Sequence, residues 1–204
     1  MLSWLQGHYI EVIGAVTGVI YLFLEIKQKI WLWPFGFITS AFYVYIFFTS
    51  KFYADMSLQF YYLGVSLYGW WNWHYGGNRE SSNSLPVTRI KPKLTLKLSL
   101  FTLTVFAILV FVLKEFTDSP VPIGDAFTTA LSITATWMLA KKLLEMWWLW
   151  VVANLVSLIL YIYKGLYPTS ILFLFNFTMS IVGYVQWKKS MLQAQGELRE
   201  PQLP

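Results

Sequence analysis

The chain has 204 residues, of which 57% are hydrophobic and only 12% charged, about half the charged share of a soluble domain. That composition excludes a water-soluble enzyme and describes a chain that crosses a membrane several times. There are no cysteines, so disulfides, thiolate chemistry and Cys-based metal sites are absent, and the redox compartment is left open.

Charge-poor runs of near-spanning length, about 20 residues each, fall at residues 10–25, 30–49, 54–73, 96–113, 121–140, 147–163 and 167–187. The expected fold is all-α, with seven transmembrane helices. The start lacks a basic leader region and the first run ends in Glu25 and Lys27 rather than in a small-residue cleavage site, so this helix is expected to stay in the mature protein. Between the third and fourth runs, residues 76–95 contain Gly-Gly-Asn and Ser-Ser-Asn-Ser stretches and read as a loop. Gly14-x-x-x-Gly18 offers a close-packing face on the first helix.

Threading the seven runs puts twelve Lys and Arg on one side, Lys27, Lys91, Lys142 and Lys188 among them, and only Lys51, Lys114 and Lys164 on the other. The acids split evenly, five and five. By the positive-inside rule the N-terminus lies outside and the C-terminus in the cytoplasm, and the net charge of +5 is an insertion signal rather than a sign of nucleic-acid binding.

The segment from Leu149 to Gln186 repeats the pattern of Leu32 to Asn72. Setting Trp31-Leu32-Trp33 on Trp148-Leu149-Trp150 carries Phe37 onto Asn154 and Ser40 onto Ser157. After a three-residue slip, Ser66 falls on Ser180, Gly69 on Gly183 and Trp73 on Trp187. The reading is a first three-helix repeat over residues 1–75, a cytoplasmic loop 76–95, a linking helix 96–113, a second three-helix repeat 121–189 and a cytoplasmic tail 190–204. The lone linking helix returns the chain across the membrane, so the repeats are parallel. Parallel three-plus-one-plus-three repeats are the plan of SWEET-like facilitators, which bind substrate near the midplane between halves.

On the sixth helix Trp147, Trp150, Asn154 and Tyr161 stand at offsets 0, 3, 7 and 14, one narrow stripe at about 100° per residue. Asn154 lies about 10 Å along the helix from Trp147, at mid-bilayer depth, where an amide must face another helix, a water-filled cavity or a ligand. Ten of the eleven tryptophans cluster near the cytoplasmic helix ends, as an interfacial belt also would, so belt and ligand contact compete for Trp147 and Trp150. Gln59 and Asn176 are further intramembrane polar groups that could join helices. The hydroxyls of Thr128, Thr129, Ser132, Thr134 and Thr136 are of the kind that bond back to their own helix.

No carboxylate or lysine falls mid-span, His8 and His74 are terminal to their spans, and no phosphate-binding glycine loop is present. A passive carrier with no cofactor or metal fits better than a pump or an enzyme. A seven-helix receptor is the alternative class; it lacks an account of the duplication.

Trp147-x-x-Trp150-x-x-x-Asn154, then Tyr161 and Tyr163-Lys164-Gly165-Leu166-Tyr167, resembles the signature of the PnuC vitamin transporters. Further matching pieces are Trp31-Leu32-Trp33-Pro34, Leu58-Gln59-x-x-Tyr62, Tyr68-Gly69-Trp70-Trp71-Asn72-Trp73 and Asp125-Ala126. The resemblance implies a homotrimer in the inner membrane that imports nicotinamide riboside by facilitated diffusion, with cytoplasmic phosphorylation trapping the product. Relatives carry thiamine or riboflavin. Carried over by position, Trp147, Trp150, Asn154 and Tyr161 would line the site, with Gln59 and Asn176 as partners. Indole faces can hold a pyridinium by cation–π attraction and amides can bond a ribose. Glu145 stands two positions before Trp147 instead of three, which leaves a family role for an acid there open.

Overall fold

The computed structural model describes residues 16–49, 53–76 and 85–197. Gly14, His8 and Lys51 lie outside them. The described residues form seven helices: α1 (Val16–Ile26), α2 (Leu32–Thr49), α3 (Tyr53–Tyr75), α4 (Pro92–Phe116), α5 (Pro122–Ala140), α6 (Met146–Tyr163) and α7 (Tyr167–Glu197). They follow the seven apolar runs with two extensions. The helix expected at residues 96–113 begins at Pro92, whose missing N–H costs nothing in the first turn, and α7 continues ten residues past Trp187 into polar sequence.

The chain divides into two compact units, Met1–Trp70 and Trp71–Pro204. In the N-terminal unit the indole of Trp33, 1% exposed, covers Gly69 so closely that a Cβ there would overlap the ring, and Gly36 gives room to the ring of Tyr21. Ser40 and Ser66 are buried in the same unit.

In the C-terminal unit α6 packs between α5 and α7, and α4 lies along α5. Nothing on α4 is buried. An apolar helix half-covered on one face and with no residue fully buried is one that meets lipid on most sides. On α5, Thr128, Ser132, Thr134 and Thr136 donate to carbonyls four residues back, the self-satisfaction their sequence position leads one to expect. Pro122 opens α5 as Pro92 opens α4. At the far end of α6, Gly165 takes a φ of +72°, the left-handed turn that lets the chain reverse into α7.

The residues that lead into α4 are tied to the α5–α6 turn. Thr88 forms a parallel bridge with Leu143, its N–H donating to the Lys142 carbonyl and its own carbonyl accepting from Leu144, while Val87 is buried. Glu145 completes the tie by accepting the Ile90 N–H at 2.9 Å. The acid left without a role by its spacing thus anchors the entry to α4 onto the α5–α6 turn.

That turn has a counterpart in the other unit. Gln28 and Lys142 are the non-glycine residues of positive φ, +52° and +50°, among the described residues. Gln28 N–H donates to Glu25 and Lys142 N–H to Leu139, Lys29 to Leu24 and Leu143 to Met138, Trp33 to Ile30 and Trp147 to Leu144. Every pair is separated by 114 positions. This corrects the register drawn from the tryptophan triplets: with no slip in the following loop, Trp33 corresponds to Trp147 and Ser40 to Asn154, in place of Trp150 and Ser157. The triplets misled because Trp147, Trp148 and Trp150 crowd the start of α6 and offer more than one match to Trp31 and Trp33, whereas the hydrogen bonds of a turn admit one alignment.

Candidate substrate site along the α6–α7 seam

The stripe on α6 faces α7. Trp147 meets Trp187 edge-on, with ring centroids 5.7 Å apart. Asn154 Nδ2 donates to Ser180 Oγ at 3.1 Å, and Tyr161 stacks on Phe173 at 4.9 Å. Positions 147, 154 and 161 therefore meet 187, 180 and 173: two antiparallel helices in contact every seven residues, as in a coiled-coil seam. The seven-residue spacing of α6 has its mirror on α7 in Phe173, Ser180 and Trp187.

Each level of the seam has its own chemistry. At the level of Trp147 the side chain is fully buried, with its ring over Gly183, and its indole Nε1 has no hydrogen-bond partner; Trp150 Nε1 is likewise buried and unpartnered. A buried donor left without an acceptor costs about 1–3 kcal/mol. At the middle level Asn154 is buried, and the Ser180 hydroxyl donates to the Asn176 carbonyl at 2.7 Å. Asn176 thus enters through its backbone, with its side chain half-buried. At the Tyr161 level Lys164 lies 5.7 Å from the ring and pairs with Asp125 at 3.4 Å, whose carboxylate also accepts from Ser119 at 2.6 Å.

Below Trp147 the end of α3 closes the bundle. Trp73 Nε1 donates to the Leu139 carbonyl and Asn72 Nδ2 to that of Ala140, and the Trp73 ring lies 6.3 Å from Trp187. Lys142, 2% exposed, holds its ammonium 4.4 Å from the Trp73 ring, and burial pushes its pKa down to about 8. The tryptophans accordingly divide: Trp33, Trp73, Trp147 and Trp187 are buried, whereas Trp31, Trp70, Trp71 and Trp148 are at least half exposed and suit an interfacial belt.

Of the six residues singled out from sequence, Trp147, Trp150, Asn154, Tyr161 and Asn176 belong to the C-terminal unit. Gln59 belongs to the N-terminal unit and is half-buried there. Sequence reasoning passed over Ser180 and Trp187 as site components. A cavity of about 460 Å3 in the C-terminal unit lies elsewhere, between α4 and α5, and none of the six lines it. Among the described residues no three His, Asp or Glu gather as metal ligands would.

Apolar helices joined by a seam that carries an amide, a phenol and an unpartnered indole donor, with a second such donor on the same helix, define an integral membrane protein with polar chemistry held inside the bilayer. The chain matches the profile described as "Nicotinamide mononucleotide transporter" over residues 8–189 and belongs to that family. It is a membrane transporter, not an enzyme or a receptor. It is 27% identical over 216 residues to the nicotinamide riboside transporter PnuC of Escherichia coli K12, covering 93% of this chain and 87% of that protein. It is 23% identical over 150 residues to the riboflavin/roseoflavin transporter RibM of Streptomyces davaonensis, with 72% and 69% covered. The fold is similar to that of the crystal structure of the vitamin B3 transporter PnuC, with a TM-score of 0.69 at 22% identity over 91% of this chain and 83% of the other.

Proposed function

We propose that this protein imports nicotinamide riboside across the inner membrane by facilitated diffusion, with phosphorylation of the imported riboside in the cytoplasm making uptake directional. The observation that carries the site is the pair of buried, unpartnered indole N–H groups of Trp147 and Trp150, within two turns of Asn154 on one helix. Ribose hydroxyls supply the acceptors these donors lack, and an indole face suits the pyridinium. Asn154 keeps its amide oxygen for the ligand while its nitrogen is held by Ser180. Tyr161 and Asn176 extend the site along the seam, and Gln59 is a separate candidate from the N-terminal unit.

The constant spacing of 114 between the two turns supports an architecture of two parallel three-helix repeats with α4 as the link. The Lys and Arg asymmetry supports an outside N-terminus and a cytoplasmic C-terminus. A homotrimer is the assembly proposed, on the resemblance of the motifs alone.

Riboflavin is the second reading, favoured by the similarity to RibM; thiamine, also cationic, is the third. Binding of all three vitamins to the purified protein decides among them. Nicotinamide riboside should bind most tightly and exchange unchanged in liposome counterflow, and tight binding confined to riboflavin or thiamine would overturn the assignment.

A further inference from the structure

The cavity between α4 and α5 is an apolar groove beside a basic stretch of chain. Its α4 wall is one face of the helix, Thr95, Leu98, Thr102 and Phe106, spaced at three and four residues. The Thr102 hydroxyl meets that of Thr134 on α5 at 2.6 Å, so the floor has no hydroxyl pair left open to a polar solute. Phe106 and Phe127, edge to face at 6.0 Å, stand at the far end. From Thr95 to Phe106 the helix rises about 17 Å, close to half of the roughly 30 Å hydrocarbon core. The groove is therefore about one leaflet deep.

Ile90 and Glu145 line one end of the groove, and the chain on either side of Ile90 is basic. Arg89, Lys91, Lys93 and Lys97 are all exposed, and none of the four is in an ion pair among the described residues. Lys91 is the N-cap of α4 and, four residues before Thr95, continues the face that lines the groove. The acid at this mouth, Glu145, is engaged by the Ile90 N–H. An apolar slot one leaflet long, ending in unpaired cations at the headgroup level, is complementary to an anionic phospholipid. We infer that one acyl chain of such a lipid lies in the α4–α5 groove with its phosphate held by Lys91. The positive-inside rule accounts for cations on this side of the membrane; it gives no reason for an apolar groove to run from them.

The test is native mass spectrometry of the full-length protein with phosphatidylglycerol and phosphatidylcholine offered at equal concentration. The wild type should retain phosphatidylglycerol in preference. Each cation near the surface contributes about a fivefold gain in affinity for an anionic lipid, so Lys91→Gln should weaken phosphatidylglycerol by about fivefold and leave phosphatidylcholine unchanged. Ser99→Trp, which fills the groove from its exposed wall, should lower retention of both lipids. Equal retention of the two lipids by the wild type would overturn the inference, as would a preference that survives the lysine replacement. A cysteine placed at Ser99 that crosslinks copies of the chain in liposomes would give the groove to a second protomer instead.

Discussion

The indole of Trp147 lies over Gly183, filling the space a Cβ would need at that position. The neighbour is the body of a fully buried ring, already held against Trp187, so it has nowhere to swing. Gly183→Ala should therefore lower the melting temperature, the overpacking costing about 1–3 kcal/mol. Trp147→Phe, a smaller ring, should recover part of the loss when combined with it. A double-mutant cycle on purified protein measures this, and purely additive effects would show that the two residues do not press on one another.

The Asn154–Ser180 bond raises the question of whether the amide is scaffold or site, and magnitudes separate the answers. Interhelical hydrogen bonds in membranes average about 0.6 kcal/mol, so Ser180→Ala should change stability little. It should also loosen the amide that the seam holds in place and weaken substrate binding by a few-fold. Asn154→Leu removes the ligand contact as well, at about 0.5–1.5 kcal/mol or more, and affinity should fall by roughly threefold to a hundredfold. Calorimetric affinity and melting temperature on the same preparations distinguish the cases. Unchanged affinity with a lowered melting temperature for Asn154→Leu would assign the residue to the scaffold.

The helices were legible because apolar runs in a membrane protein need no partner to be recognised, and the stripe on α6 was legible because one helix fixes the angle between its own residues. What covers the stripe was not. Asn154 could have faced water or a ligand on periodicity alone, and only packing places Ser180 beside it. The docking of residues 87–90 on the α5–α6 turn also escaped the sequence, since a Ser- and Asn-rich stretch preceding it carries no signal of a backbone bridge. A likeness between residues 32–72 and 149–186 was visible, but its alignment was lost among tryptophans of unlike placement, buried at Trp147 and exposed at Trp148.

Lys142 gives a pH dependence with a definite sign. Burial lowers its pKa from 10.5 to about 8, so between those values the unfolded chain holds a proton that the folded protein has released. Stability then rises with pH across that window, and below about pH 8 the cost of the buried charge is present in full, offset in part by the Trp73 ring. The melting temperature of the wild type should gain on that of Lys142→Met between pH 8 and 10.5. A difference between the two that stays constant with pH would show that the ammonium is not desolvated.

The orientation can be checked with single cysteines in a chain that has none of its own. A cysteine at Lys91 should be shielded from an impermeant thiol reagent in intact cells, and one at Lys114 should react. The opposite pattern would invert the topology drawn from the basic residues.

The mode of transport follows from where the acids lie. Among the described residues Glu25 and Glu115 are each next to the last residue of their helices, Asp55 and Asp125 sit in first turns, Glu145 precedes α6 and Glu197 ends α7. Asp118 is in a connection. Proton- and ion-coupled carriers place ionisable groups along the pathway inside the membrane, and the polar groups of the α6–α7 seam are an amide, hydroxyls and indoles, none of which changes charge near neutral pH. Liposomes containing the purified protein should therefore bring internal substrate to the external level and no higher, whether or not a pH or sodium gradient is imposed. Enclosing a kinase and ATP should raise total uptake by converting the substrate after entry, with the free substrate still level across the membrane. Accumulation of unmodified substrate above the external concentration, driven by an imposed gradient with no enzyme inside, would refute facilitated diffusion and send the search back to Asp125 and Lys164, the ion pair beside Tyr161.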